Sequence, residues 1–310
     1  MKHKIITFGE LMLRLSPDNN ERFTQAHSYE AVYGGGEANT AVSLANFNVD
    51  TRYVTKLPKH TIGQSAVNSL RQYGVDVSRI VRGGDQIGIY FLEKKTSQRP
   101  TNVIYNRNGS AFALATKEDF DWDSIFDGAT WFHFSGITPA ISDNMAEITI
   151  EACKEAKKRG ITVSCDLNYR SKLWSSEKAN KVMSEVCRYV DICIANEDDA
   201  VGIFGMDASK SDKEKNAYIA EELTKMFPNF KMVASVWRTE TSITTFKLQS
   251  MIYTEGKAYY SQEFFMNILD YIGAGDAYCA GIIYSLINNF DPQKSVDCLL
   301  YTSPSPRDRG

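Results

Sequence analysis

From residue 130 to residue 236 the chain repeats one unit: a short apolar run, a polar turn, then a segment whose apolar residues recur three and four apart. Strands are predicted over 130–134, 161–165, 191–195 and 231–236, with helices over 143–158, 176–188 and 213–226 between them. The first of these helices is well bounded. Ser142 precedes it as an N-cap, Gly160 follows it, and Met145, Ile148, Ala152 and Ala156 share its inward face. Repeated strand–helix units close their hydrophobic surfaces as an α/β fold, a largely parallel sheet with helices on both faces. Ligands in such a sheet sit beyond the carboxyl ends of the strands. That rule singles out Ser135-Gly136, Asp166-Leu-Asn168-Tyr-Arg170, Asn196-Glu-Asp-Asp199 and Arg238, each placed by the pattern at a strand exit.

The N-terminal part mixes two patterns. Ile5 to Gly9 reads as a buried strand, and 51–56 as another, followed by a helix over 63–73 closed by Gly74. Leu11 to Leu15 and Ser28 to Tyr33 alternate as half-exposed strands, and 87–93 with 101–105 read as a hairpin. These four runs predict a small separate sheet covered on one face, which needs a ligand or a second subunit against it. No internal repeat or low-complexity linker divides the chain, so residues 1–310 are expected to form one domain, with lid strands from about 11–33 and 87–107.

Two glycine clusters open helical patterns. Gly34-Gly35-Gly-Glu-Ala-Asn39 precedes Ala38, Ala41, Leu44 and Ala45, where bare backbone lets a ligand approach and Asn39 can bond a hydroxyl. Asp270-Tyr-Ile-Gly273-Ala274-Gly275-Asp276 precedes Ala280, Ile283, Tyr284 and Ile287. A helix N-terminus with unpaired amides suits a phosphate, and the carboxylate beside it suits a base acting on a neighbouring group. Each cluster read alone is equally a plain glycine turn, with Asp276 as a cap. In Asp166-Leu-Asn168-Tyr-Arg170 the residues two apart share a side, so they form either a grip on a hydroxylated acid or an internal Asp166–Arg170 ion pair. Tyr90, Tyr105 and Arg107 add two phenols and a cation on the small sheet. Asn196 to Asp199 offers oxygen ligands for Mg²⁺, or a helix cap.

Other classes lack their signals. A net charge of −3 gives no footprint for nucleic acid or an anionic membrane. There is no P-loop, no dinucleotide fingerprint, no nucleophile elbow and no H-E-x-x-H. The six cysteines form no C-x-x-C pair, His133 is expected to be a satisfied residue in the sheet, and no run is long enough to span a bilayer. The N-terminus enters a strand with no signal-peptide pattern, so a cytoplasmic protein is expected.

In this order along the chain, Gly34-Gly-Gly-x-x-Asn39, Asp166-x-Asn-x-Arg170, Asn196-Glu-x-Asp199 and Asp270-x-x-Gly-x-Gly-Asp276 resemble the ribokinase-type (PfkB) carbohydrate kinases. Leu57-Pro with Gly63, Tyr90-Phe-Leu-Glu93, Val103-Ile-Tyr-x-Arg107, Gly109-Ser-Ala111, Phe134-Ser-Gly-Ile-Thr-Pro139 and Asp166 through Trp174 are most similar to members that phosphorylate 2-dehydro-3-deoxy-D-gluconate. The resemblance implies a ribokinase-like three-layer sandwich with a β-sheet lid, ATP and Mg²⁺, and often a homo-oligomer paired through the lid. It implies Asp276 as base and Gly273, Ala274 and Gly275 as the cradle for the transferring phosphoryl group. It assigns Gly34, Gly35, Asn39, Tyr90, Tyr105, Arg107, Asp166, Asn168 and Arg170 to the sugar acid, Asn196 and Arg238 with the late glycines to the nucleotide, and Asp270 and Asp199 to the metal side. Two departures stand out: Tyr271-Ile272 where smaller or basic residues are usual, and a tail over 297–310 with Pro304 and Pro306, which cannot continue a helix. The tail is expected to weaken ATP enclosure. The alternatives are a fructokinase- or ribokinase-type sugar kinase, or a sugar-acid binder with impaired turnover.

Overall fold

The computed structural model describes residues 3–95, 99–207, 209, 212–240, 245–267 and 272–298. In chain order the elements are β1 (Lys4–Phe8), β2 (Met12–Pro17), β3 (Tyr29–Gly34), α1 (Gly36–Asn46), β4 (Asp50–Val54), β5 (Lys56–Leu57), α2 (Thr61–Arg71), β6 (Val81–Arg82), β7 (Gly88–Glu93) and β8 (Asn102–Asn106). There follow α3 (Trp122–Ile125), β9 (Trp131–Ser135), α4 (Ile137–Ala140), α5 (Asp143–Lys158), β10 (Thr162–Asp166), α6 (Ser176–Cys187), β11 (Ile192–Ile194), α7 (Glu197–Phe204) and α8 (Asp212–Met226). The last are β12 (Met232–Glu240), β13 (Thr245–Thr254), β14 (Lys257–Tyr260), β15 (Phe264–Asn267), α9 (Ala274–Ile287) and α10 (Pro292–Cys298).

The expected strand–helix units build a nine-stranded sheet in the order β14-β13-β12-β11-β10-β9-β1-β4, with β15 also pairing β13. From β4 across to β12 every pair is parallel, and β13 joins antiparallel. Successive strand residues point to opposite faces, so near-continuous apolar runs supply both sides of such a sheet at once. Ile6, Phe8, Phe132, Val163 and Cys193 pack with Met145 and Ile148 of α5 and Met183 of α6. Their neighbours Ile5, Trp131, Ile192 and Ile194 pack on the other face with Leu44 of α1 and with Tyr278, Ile282 and Ile283 of α9. The result is the three layers expected. The Ser142 side chain accepts from Met145 N–H at 3.2 Å, which fixes the start of α5, and Gly160 takes φ +70° after its end. His133 is buried with Nδ1 2.8 Å from Ser164 Oγ, and burial pushes its pKa down to about 3, so it stays neutral.

The half-exposed strands form the separate four-stranded sheet β3-β2-β7-β8. Two features differ from the sequence reading. The strand predicted to end at residue 236 runs on to Glu240 and pairs with β13, so Arg238 lies inside β12 opposite Leu248. Beyond it stand the unforeseen strands β13, β14 and β15. Residues 268–271, which include Asp270 and Tyr271, and the tail from residue 299 lie outside the described residues.

Candidate active site

The site is organised where two helix N-termini meet. Helices α1 and α9 pack against each other although more than 200 residues separate them. Asn39, on the first turn of α1, donates through Nδ2 to Asp276 Oδ2 at 2.7 Å, and Thr40 Oγ1 donates to the Asp276 carbonyl at 3.2 Å. The glycines make this approach possible. A Cβ on Gly35 would lie 2.1 Å from the Glu10 carbonyl oxygen, and one on Gly36 would press within 3.4 Å of Asp276 Oδ1. Gly273 caps α9 at φ +89°, a left-handed conformation that turns the chain into the helix. The Gly273 carbonyl accepts from Ala277 N–H at 2.9 Å, so the amides ahead of Ala277 are the unpaired donors of the first turn. Beside them Gly275 is exposed, and a Cβ there would meet nothing within 4 Å. These are the features of an open anion cradle.

Electrostatics follow from what surrounds the carboxylates. Burial raises the Asp276 pKa to about 6; Asn39 and the Arg170 charge oppose the shift, and the Glu37 charge adds to it. Asp166, at the end of β10, is raised well above the carboxylate range by burial and by the charges of Asp199 and Asp276. Asp199 is buried and raised to about 6, chiefly by desolvation. Arg170 lowers all three. It is exposed at the exit from β10 and makes no ion pair among the described residues. The Asp166–Arg170 pair left open by the sequence is therefore not formed. Asp166 instead accepts from Asn168 Nδ2 at 3.0 Å, with Asn168 at φ +39°.

On the small-sheet side, Gly34, Asn39 and Tyr90 line one cleft of about 220 Å³ together with Leu11, Ala38 and Ile272. Tyr90 and Tyr105 face each other across β7 and β8, their rings stacked 5.8 Å apart. Arg107 Cζ lies 5.8 Å from the Tyr105 ring. Arg107, the cation expected on the small sheet, is buried and its Nε donates to Glu10 Oε2 at 2.8 Å, with Nη2 ion-paired to the same oxygen. Two carboxylates escaped sequence reasoning: Glu10, and Glu37 inside the first glycine motif. Glu37 Oε1 accepts from Ser135 N–H, Ser135 Oγ and Thr138 Oγ1 at 2.8, 2.6 and 2.9 Å, tying the first turn of α1 to the end of β9.

Towards the β11 and β12 ends, Asn196 is the N-cap of α7, its Oδ1 accepting from Asp199 N–H at 3.1 Å. Asp199 completes the capping box: its Oδ1 accepts from Tyr169 N–H at 2.6 Å and its Oδ2 from Asn196 N–H at 3.0 Å. Both oxygens thus have backbone partners, leaving only their remaining lone pairs for a metal's water shell. Arg238 lies with its guanidinium 5.6 Å from the Phe246 ring. Among the described residues no three His, Cys, Asp or Glu side chains converge to hold a metal directly.

A buried carboxyl of raised pKa beside an open helix N-terminus, at the strand exits of a parallel sheet, suits transfer of a phosphoryl group to a hydroxyl. Known proteins agree with that geometry. The pattern of the pfkB family carbohydrate kinases matches residues 2–298. The 2-dehydro-3-deoxygalactonokinase of Haloferax volcanii is 33% identical over 290 residues, covering 93% of this chain and 85% of that protein. The crystal structure of 2-dehydro-3-deoxygluconokinase from Thermotoga maritima superposes with a TM-score of 0.93 at 43% identity, covering 99% of this chain and 92% of that one. A 2-dehydro-3-deoxygluconokinase of Thermoproteus tenax is 25% identical, covering 96% of this chain and 86% of that protein. With the fold, the paired helix termini and the sequence pattern in accord over nearly the whole length, the chain belongs to the pfkB family of carbohydrate kinases.

Proposed function

We propose that the protein transfers the γ-phosphoryl group of ATP to the terminal hydroxyl of 2-dehydro-3-deoxy-D-gluconate. The observation that carries this reading is Arg170, an exposed guanidinium without an ion pair among the described residues, whose charge reaches the base Asp276. A neutral sugar leaves such a cation without a partner, whereas a sugar carboxylate fits its planar fork. The names of the similar Thermotoga and Haloferax kinases point to the same class of acid and differ in the epimer.

In this mechanism the sugar lies in the cleft lined by Gly34, Asn39 and Tyr90, with its hydroxyl beside Asp276. Asn39 holds Oδ2 of the base, which leaves Oδ1, next to Gly36, to take the proton. The hydroxyl oxygen forms the new bond to phosphorus, the bond to the ADP oxygen breaks, and the proton ends on Asp276. Charge developing on the transferred group is met by the amides of Gly273, Ala274 and Gly275. Arg238 and Asn196 would face the nucleotide. Mg²⁺, which keeps much of its water and binds chiefly through the phosphates, would be held through water by Asp199, with Asp270 on the metal side as the resemblance implies, and would neutralise phosphate charge when bound. The small sheet would serve as the lid and as the contact between copies in a homo-oligomer. Five buried free thiols among the described residues suit a reducing cytoplasm.

A coupled assay of ADP release with a panel of sugars tests the reading. Turnover should be strong with 2-dehydro-3-deoxy-D-gluconate and weak with fructose and ribose. Ready phosphorylation of fructose or ribose with none of the keto-deoxy acids would sink it, and preference for the galactonate epimer would correct only the stereochemistry.

A further inference from the structure

Glu10 lies between β1 of the large sheet and β2 of the small one, and it is buried to within 4% of full exclusion. Every other chain crossing between the two sheets meets it. Gly35, where β3 gives way to α1, packs so closely that a Cβ would stand 2.1 Å from the Glu10 carbonyl oxygen. A Cβ on Gly88, the first residue of β7, would stand 2.5 Å from Oε1. Where β8 returns to the body of the protein, Ser110 Oγ donates to Oε1 and Arg107 grips Oε2 through Nε and Nη2. Ser110 Oγ in turn accepts from Ala113 N–H at 3.1 Å.

The two oxygens thus do different work. Oε1 is pinned by Ser110, and Oε2 takes the side edge of the guanidinium, so Arg107 is held in one orientation with Nη1 directed away from Glu10. A guanidinium is a rigid planar fork, and fixing one edge fixes the direction of the other. The opposite charge of Glu10 offsets part of the cost of burying a cation beneath Tyr105. We propose that Glu10 is a positioning residue for substrate specificity: it aims the Nη1 end of Arg107 at the acidic group of the sugar and locks that aim to the seat of the small sheet. This inference rests on the sugar-acid reading given above. Glu10 itself touches no reacting atom.

The test compares the sugar acid with its neutral analogue, in which a hydroxymethyl group replaces the carboxylate. Glu10→Gln should raise KM for the acid about ten-fold, as expected when a charge-assisted bond is lost, while kcat and the KM for the neutral analogue change less than about three-fold. Arg107→Ala should lower the preference for the acid about ten-fold, Arg170 keeping the rest, and Glu10→Gln added to it should cause no further loss, because Glu10 acts through Arg107. Equal losses on both substrates, or additive losses in the double variant, would show a merely structural carboxylate and overturn the proposal. If Arg107→Ala leaves the preference intact, the reading of Arg107 fails first and the role of Glu10 falls with it. If Glu10→Gln does not fold, Ser110→Ala frees Oε1 while keeping the ion pair. It should then raise KM for the acid about two- to three-fold with the neutral analogue unmoved, and equal effects on both would again overturn the proposal.

Discussion

Asp276 is poised by two opposing influences. Burial raises its pKa to about 6, while Asn39 favours the ionised form. A base must be deprotonated, so kcat/KM should rise with pH through about 6 and level off above it, the limb of kcat/KM belonging to the free enzyme. Asp276→Asn preserves the shape and the bond to Asn39 but takes no proton. It should lower kcat by about 10³-fold with little change in sugar KM, and the limb near pH 6 should vanish from what activity remains. A limb that persists in the variant would assign it to Asp199, which is also raised to about 6. Arg170→Ala should act the other way, raising sugar-acid KM roughly ten-fold or more with a small effect on kcat, as steady-state kinetics will show. Asp276 and Arg170 were legible as candidates because each sits in a short motif at a strand exit or helix start. The pairing of Arg107 was not. Its partner Glu10 lies 97 residues away in sequence, and only the fold reveals that the cation is engaged.

At the scale of elements, two glycines separate packing from chemistry. Gly35 has no room for a methyl group, since a Cβ would lie 2.1 Å from backbone, so Gly35→Ala should destabilise the fold by about 2 kcal/mol or more in denaturant titration. Gly275 has open space and sits inside helix α9. Gly275→Ala should therefore leave the melting temperature nearly unchanged, yet reduce kcat by about 10-fold or more by placing a methyl group where we propose that the phosphoryl group is cradled. A kcat equal to wild type would remove the cradle from that helix end. The strand–helix units were readable because near-continuous apolar strands and capped helices announce themselves. The hairpin β13–β14 was hidden. Its two-residue turn puts both Glu255 and Gly256 at positive φ, 52° and 74°, where Asn-Gly is the usual signal, and a glutamate there gives no warning.

For the whole molecule, the small sheet presents Tyr90 to the cleft, Tyr105 pairs with it on the same face, and period-two alternation sends Ile104 to the other. Ile104 is 51% exposed on the edge strand β8, and Tyr29 is exposed on β3 at the opposite edge. Such a surface favours pairing with a second copy. Sedimentation should find an oligomer, and Ile104→Glu should shift it to monomers; a wild-type monomer at micromolar concentration would argue against pairing through this sheet. Among the described residues no helix is long and apolar enough to cross a membrane.

The Asn39–Asp276 bond joins residues 237 positions apart, and α1 rests its apolar side on α9. During synthesis, at roughly 5–20 residues per second, α1 leaves the ribosome roughly 10–50 s before its partner exists. Until then Leu44, which also packs with Ile5 of β1, lacks the cover that α9 supplies, and the nascent chain carries Asn39 without its Asp276 acceptor. No nascent chain that stops short of Asp276 holds both members of this pair, and a chaperone that shields α1 during that interval should raise the yield of active protein more than it changes the stability of the finished fold.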